Sequence, residues 1–318
     1  MTAQGLAVIL ISHKLSEVMQ SDRVTVLRRG KRVATVTTAE TTKEALTAMM
    51  VGRPVASQIR GEETAPGEVV LSVRDLWLRH ARGHQALRGV SFDLRRGEIL
   101  GLAGVAGNGQ DELFETLIGV QRPDRGEIHL AGTSIAGSSP RRIMAQGVGY
   151  IPSDRFRDGL VPEFSIAENL VLGEQRSEGF HRGPFLDYDR INGLAMDCMG
   201  AFGIVAPSPQ TPARRLSGSN AQKVILAREL RQATKCLLCN QPTRGLDVGV
   251  IEHVQQQLLQ KRRDGVAILL ASEELEDVLS LSDRIAVMFR GQIMGILDAD
   301  AADMATIGLM MAGQHAAD

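Results

Sequence analysis

Residues Gly104-Val-Ala-Gly107-Asn108-Gly109-Gln110-Asp111 join an apolar run, Glu98–Ala103, to a helical pattern over Asp111–Gly119. That order and spacing match a phosphate-binding loop, G-x-x-x-x-G-K-[ST], in its strand-to-helix context. Glycines let backbone N–H groups turn inward as an anion nest, and the helix N-terminus adds partial positive charge. Two side chains depart from the pattern: Gln110 replaces the lysine and Asp111 replaces the metal-binding hydroxyl. A carboxylate beside phosphates repels them unless a metal lies between. Taken alone, the segment reads more simply as a Gly-rich strand-to-helix turn.

Three further segments have residue types suited to the same chemistry. Leu216-Ser217-Gly218-Ser219-Asn220 precedes a helix predicted to start near Ala221, where a serine would ordinarily be an N-cap. Cys236-Leu-Leu-Cys239-Asn240-Gln241-Pro242-Thr243-Arg244-Gly245-Leu246-Asp247 begins as an apolar strand, so its cysteines read as buried strand residues rather than a redox or metal pair. His13 follows the apolar run Leu6–Ile11, where a histidine usually caps or faces solvent.

The elements that would position these residues include a duplicated segment. Residues 5–36 and 265–297 are two copies of one pattern: Gly5 matches Gly265, Ser12 matches Ser272, Asp22-Arg23 matches Asp283-Arg284, and Arg29-Gly30 matches Arg290-Gly291. The tails, Met49–Gly52 and Met310–Gly313, also agree. The period, about 260 residues, is domain-sized and too long for a solenoid unit. His13 is replaced by Glu273 in the second copy.

The first copy predicts a strand over Leu6–Ile11, a helix over Lys14–Gln20, strands over Arg23–Leu27 and Arg32–Val36, and a helix over Thr42–Val51. Residues 53–66 lack periodicity and read as a linker. Val69–Leu76 and Ala86–Leu94 alternate like antiparallel strands. Residues 163–235 look mainly helical, interrupted at Pro207-Ser-Pro209. Lys235–Cys239, the helix Ile251–Arg263 and the strand Ala267–Ala271 complete an alternation that argues for a largely parallel α/β sheet. Net charge is −1 and aromatic content 3%, which disfavours a nucleic-acid surface. Three cysteines give no disulfide framework. Leu6–Ile11 is too short to cross a bilayer, and the sequence predicts no signal peptide.

Together the segments resemble the ATP-binding cassettes of ABC transporters over nearly all of residues 5–313. Leu216–Asn220 is similar to the family's LSGGQ signature, which reaches the γ-phosphate held by an opposite cassette. Asn240 stands at the Mg²⁺-associated Asp of a Walker B strand, and Gln241 at the Glu that polarises water. Asp247 matches the D-loop. Ser12-His13 resembles the H-loop, with Glu273 at that place in the second copy. Ser153, within Tyr150–Arg155, falls at the Q-loop glutamine. His80 aligns with the aromatic that stacks adenine, and nearby Trp77 reads as packing. Asp154-Arg155-Phe-Arg157-Asp158-Gly159-Leu160 and Pro242–Gly249 narrow the likeness to tandem-cassette ATPases of bacterial simple-sugar and nucleoside importers. Residues 104–110 and 241–243 look closest to the second cassette of the nucleoside branch, which resembles LSGGNQQK where this chain has Ser219 and Ala221.

The resemblance implies an α/β fold of the ABC-type P-loop NTPase kind, with an antiparallel β subdomain, a mainly parallel core sheet and a helical subdomain. It divides the chain into residues 1–52, the C-terminal part of a first cassette; 53–67, a linker; 68–313, a second, degenerate cassette; and 314–318, a tail. It implies ATP and Mg²⁺. Nucleotide would contact Gly104, Gly107, Asn108, Gly109, Gln110, Asp111 and Ser153, weakly His80, and in trans Leu216, Ser217, Gly218, Ser219 and Asn220 with Asp247. Asp111 and Asn240 are the metal positions. His13 and the signature belong to a competent site; Gln110, Asp111, Asn240, Gln241 and Glu273 belong to a degenerate one. Implied partners are two membrane permease subunits, a substrate-binding lipoprotein acting through them, and a second cassette in cis or trans, with no nucleic acid. The implied location is peripheral, on the cytoplasmic face of the plasma membrane. The first copy should be preceded by roughly 200 residues, so the chain alone is expected to turn over little ATP. The alternative is an inactive regulatory fragment. A ribosome- or DNA-directed tandem cassette is disfavoured by Gln110, Asn240 and Gln241.

Overall fold

The computed structural model describes residues 5–12, 15–28, 30–52, 67–80, 83–246 and 248–314. His13, Asp247, the stretch 53–66 of the predicted linker and residues 315–318 of the predicted tail lie outside them. Two compact units form: residues 1–59 with 246–253, and residues 60–245 with 254–318.

In the first unit, a short helix α1 (Leu15–Val18) leads to an antiparallel hairpin, β1 (Arg23–Arg28) and β2 (Lys31–Thr37), and then α2 (Lys43–Val51). Thr42 caps α2, its Oγ1 accepting from Ala45 N–H, and Gly52 ends it in the left-handed conformation. These elements match the sequence expectations to within two or three residues, and α1 is shorter than expected. The expected strand over Leu6–Ile11 does not form: those residues have no regular secondary structure and no sheet partner among the described residues. Ile9 and Ile11 are 91% and 95% exposed. Apolar pattern alone does not make a strand; backbone N–H and C=O groups need a ladder, and each exposed Ile forgoes about 1.5–3 kcal/mol of burial.

The second unit supplies such a ladder to the matching residues. β3 (Val69–Arg79), β4 (Gln85–Arg95), β6 (Arg125–Leu130) and β7 (Thr133–Ser134) form an antiparallel sheet ordered β4-β3-β6-β7. Gly67 N–H donates to Arg96 O, so this predicted linker residue joins the sheet's margin. The core sheet is ordered β14-β13-β5-β12-β11-β8, from β5 (Ile99–Ala103), β8 (Val148–Ile151), β11 (Cys236–Asn240), β12 (Ala267–Ala271), β13 (Arg284–Phe289) and β14 (Gln292–Asp298). All neighbours pair in parallel except the β13–β14 hairpin. β5, β11 and β12 are buried at every residue, as parallel strands covered on both faces must be. Ala267–Ala271 has the bounds read from sequence. Leu113, Phe114 and Leu117 of α3 (Gln110–Leu117) are buried in a core that includes Leu100, Leu102, Leu238 and Leu269.

A helical region carries α4 (Pro140–Met144), α5 (Ile166–Leu170), α6 (Tyr188–Phe202) and α7 (Gly218–Gln232), with a small hairpin of β9 (His181–Arg182) and β10 (Phe185–Leu186). Ser165 and Glu168 close a capping box on α5. The α7 helix begins at Gly218 rather than near Ala221, because Ser217 caps it. The chain continues through α8 (Val248–Arg263) and α9 (Leu275–Leu281), and closes with α10 (Met304–Met311). No helix among the described residues is long and apolar enough to cross a membrane.

Candidate nucleotide site

The turn between β5 and α3 is built from close backbone approach. Gly109, at φ 109°, caps α3 without a side chain; a Cβ there would stand 2.8 Å from the Ala86 carbonyl oxygen. The loop is held from outside by the β13–β14 hairpin: Asn108 Oδ1 accepts from Arg290 N–H at 2.8 Å, and Asn108 O accepts from Gly291 N–H at 2.8 Å. The Gly291 carbonyl accepts in turn from Arg88 N–H of β4 at 2.8 Å. The duplicated Arg-Gly turn is thus a buttress for this loop, a role its sequence did not disclose.

Gln110 folds back into the loop. Its Nε2 donates to Val105 O at 3.1 Å and its Oε1 accepts from Asn108 N–H at 3.1 Å. The amide therefore satisfies one inward N–H of the nest while carrying no charge. On Gly107, at φ 84°, a Cβ would meet nothing within 4 Å, so that flank of the loop is open.

Three sequence-selected side chains converge beside it. Asp111 Oδ1 accepts from Asn240 Nδ2 at 2.6 Å and from Ser153 Oγ at 3.4 Å. Asp111 comes from the first turn of α3, Ser153 from the loop after β8, and Asn240 from the buried end of β11. Next to them, Gln241 has a left-handed backbone, φ 59°, which a non-glycine residue adopts only under constraint. Its N–H donates to Ala271 O at 2.9 Å and its Oε1 accepts from Glu273 N–H at 2.8 Å. Gln241 is thereby tied to the exit of β12. The Glu273 carboxylate is exposed, 3.9 Å from Arg244 Nε.

Asp277 supports this wall. It accepts from Thr243 Oγ1 at 2.9 Å, Gln255 Nε2 at 3.0 Å and Ser272 Oγ at 3.3 Å. Burial pushes its pKa above the usual carboxylate value, against those hydrogen bonds. Burial likewise raises Tyr150, opposed by its hydrogen bond with Asn240. The Cys236 thiol is pushed up to about 12 and Cys239 also upward, both by burial. Both are free and buried, so they are strand residues as expected.

The signature residues lie elsewhere, at the start of α7. Ser217 Oγ accepts from Asn220 N–H at 3.3 Å, and Asn220 Oδ1 accepts from Val205 N–H at 2.9 Å. Among the described residues no hydrogen bond joins Leu216, Ser217, Gly218, Ser219 or Asn220 to the Gly104–Asp111 loop. Arg155 connects this segment to the loop after β11, donating to Gly218 O at 2.7 Å and Arg244 O at 2.8 Å. Desolvation, then the like charge of Arg244, pulls its pKa down. Sequence reading noted Arg155 only as part of a family pattern; its two carbonyl partners are 63 and 89 residues away. His80, at the end of β3, stacks on His84 with ring centroids 4.7 Å apart. Trp77 donates from Nε1 to Asp75 and lies under Arg125, consistent with packing.

A parallel sheet with a glycine nest between β5 and a helix N-terminus, flanked by the end of β11, defines a P-loop nucleotide-binding fold. Residues 87–244 match the family model for the ABC transporter. The nucleoside import ATP-binding protein NupA of Lactococcus lactis is 42% identical over 311 residues, covering 98% of this chain and 62% of that protein. The guanosine import ATP-binding protein NupO of Bacillus subtilis is 40% identical, covering 92% and 57%. A glucose import ATP-binding protein of Haloferax volcanii is 40% identical, covering 98% and 58%. The chain belongs to the ABC transporter ATP-binding family. It spans about three-fifths of the length of these relatives. A dimeric, ADP- and Pi-bound ATP-binding cassette, MJ0796, shares the fold at TM-score 0.63 and 19% identity, covering 72% of this chain and 98% of that one.

Proposed function

We propose that the chain is part of the ATP-binding subunit of a bacterial ABC importer for nucleosides or simple sugars, coupling ATP binding and hydrolysis to transport. Two permease subunits would form the membrane path, supplied by a substrate-binding lipoprotein, with this chain peripheral on the cytoplasmic face. The importer names of its relatives support the reading.

Within it, residues 1–52 are the C-terminal part of a first cassette and residues 68–313 a second one. The unpaired apolar run Leu6–Ile11 supports this, because its matching residues form β12, between β5 and β11. One site would use His13 with P-loop and Walker B residues of a first cassette and a signature from an opposing cassette. The other would use Gln110, Asp111, Asn240, Gln241 and Glu273 with an opposing signature.

One observation carries the assignment of slow chemistry to the second site. Gln241 stands at the general-base position, and its carbonyl oxygen is occupied by the Glu273 N–H at 2.8 Å. An amide does not take up a proton at neutral pH, and this one is also turned toward the protein. Loss of a single transition-state donor commonly lowers rate by about 10²–10³. The residues do fit phosphate and metal. The nest keeps its glycines, and Asp111 offers a metal-binding carboxylate. Bound Mg²⁺ would neutralise phosphate charge, while the loop N–H groups orient the phosphates.

The test is ATP turnover by the purified chain, with and without a separately expressed polypeptide carrying an intact first-cassette P-loop, signature and Walker B. Turnover only in the mixture is expected. Robust turnover by the chain alone overturns the assignment.

A further inference from the structure

Asp111 and Asn240 hold, in exchanged places, the chemistry their family positions imply. The helix start carries the carboxylate where a hydroxyl is expected, and the strand end carries an amide where a carboxylate is expected. The fold joins them: Asn240, only 2% exposed, donates from Nδ2 to Asp111 Oδ1 at 2.6 Å. The amide is polar but uncharged, so its burial at the end of β11 does not set a second anion against Asp111. It orients Asp111 through one oxygen, which Ser153 Oγ also approaches at 3.4 Å. Among the described residues Asp111 Oδ2 has no hydrogen-bond partner, and Asp111 is exposed at the mouth of the loop.

The charge of the loop follows. With Gln110 neutral and Asp111 ionised, its side chains present one negative charge where a Lys and a hydroxyl would present one positive charge. A metal-free triphosphate meets repulsion from Asp111 with only backbone dipoles in its favour. A triphosphate carrying a divalent cation brings the missing positive charge. Mg²⁺ is commonly held by one or two carboxylates plus substrate phosphates, completed by water. A lone carboxylate therefore suffices, and the described residues have no cluster of three His, Cys, Asp or Glu that could serve instead.

We propose that this loop admits a nucleoside triphosphate only as its divalent-cation complex, with Asp111 receiving the cation and Asn240 orienting Asp111. The exchanged pair makes the second site a metal-gated nucleotide holder rather than a weakened copy of an ordinary P-loop. This rests on the ATP-binding reading of the loop.

The experiment measures binding of a fluorescent ATP analogue to the intact chain, in excess Mg²⁺ and in excess EDTA. It is repeated for Asp111→Ser and Asn240→Ala, with thermal melts to establish folding. Mn²⁺ replaces Mg²⁺ in a parallel set read by electron paramagnetic resonance. The expected preference for the metal-loaded nucleotide is about 100-fold or more. Asp111→Ser should collapse it to a few-fold by raising metal-free affinity, and should change the spectrum of the bound Mn²⁺. Asn240→Ala should give an intermediate preference. Equal binding with and without metal overturns the inference while leaving ATP binding intact. A preference unchanged in a folded Asp111→Ser variant overturns the role of Asp111. Absence of binding under both conditions removes the ATP-binding reading of this loop and the inference with it.

Discussion

The buried pair Arg228–Glu229 fixes the signature helix relative to the edge of the core sheet, and its removal has a calculable cost. Arg228 Nε lies 2.5 Å from Glu229 Oε1, with side-chain exposures of 8% and 1%. Arg228 also donates to Gly159 O at 2.8 Å and Asn169 O at 3.3 Å, while Glu229 Oε2 accepts from Tyr150 N–H at 2.8 Å. One pair thus ties α7 to β8, to the turn before Leu160 and to α5. Arg228→Met leaves a carboxylate buried with one N–H partner and strips two carbonyls of their donor. Breaking a buried pair from one side costs about 3–5 kcal/mol. For a domain of this size that lowers Tm by about 6–20 °C.

The double variant Arg228→Met/Glu229→Gln separates charge from shape. It removes the stranded anion but keeps an acceptor for Tyr150 N–H. Its residual cost is set by the two unpartnered carbonyls alone and should lie below that of Arg228→Met, because no anion is stranded. The double variant should therefore be more stable than Arg228→Met alone. Urea denaturation followed by circular dichroism measures both. Refutation would be a loss below about 1 kcal/mol in Arg228→Met, the low end for leaving a buried group unpaired, or a double variant no more stable than Arg228→Met.

Gly291→Ala should displace the phosphate loop, because position 291 has φ 79° and a Cβ would collide with the Ala86 carbonyl oxygen. Fluorescent-nucleotide affinity should fall about tenfold or more, as expected for about 1–3 kcal/mol of strain; unchanged affinity would remove the hairpin's role as buttress. Asp277→Asn should gain on the parent as pH rises. The folded pKa of Asp277 lies above the ordinary 3.8, so its stabilising contribution is full below that value and is lost as pH rises through the folded value. The neutral amide escapes that loss, and urea midpoints for the two proteins at acid and neutral pH should diverge in its favour. Ser217→Ala should cost about 1 kcal/mol through loss of the N-cap of α7, seen as earlier amide exchange in the first turn of that helix.

Sequence reading located the buried strands well where context agreed with pattern. Ala267–Ala271 is such a case: an apolar run whose neighbours, β5 and β11, are also in the chain. Leu6–Ile11 carries the same apolar pattern and aligns with it in the repeat, yet it pairs with no strand among the described residues and stays exposed. Periodicity reports which face wants burial, and only a paired backbone makes a strand. The site divides in the same way. Gln110, Asp111, Asn240 and Gln241 were visible as departures from a family pattern, one by one. The resemblance set Asp111 and Asn240 at the metal positions, but the hydrogen bond between them, 129 residues apart in the chain, was not visible. Arg155 and Asp277 were hidden for a related reason: each acts through groups brought together by the turns after β8, β11 and β12, and neither belongs to a local spacing.

The duplicated segment now has a physical content. In the second unit, four residues identical between copies, Asp283, Arg284, Arg290 and Gly291, brace the Gly104–Asp111 loop and the strand leading to it. Asp283 Oδ2 accepts from Ile99 N–H at 2.8 Å, at the start of the strand that delivers the loop, and Asp283 Oδ1 lies 2.5 Å from Arg262. Arg284 pairs with the buried Glu98 at 2.6 Å and donates to Asp93 O at 2.9 Å. Arg290 and Gly291 hold Asn108, and Ser272 reaches Asp277. The counterparts Asp22 and Arg23 are exposed, and the first unit contains no described strand equivalent to β5 for them to anchor. In the second unit, identity with the first copy therefore falls on residues that anchor β5 and the loop after it. The position that differs, His13 against Glu273, carries in the second unit the N–H from which the Gln241 side chain accepts. Along this segment of the second unit, the residues shared with the first copy hold the strand and hairpin around the loop, while position 273, where the copies differ, lies beside Gln241.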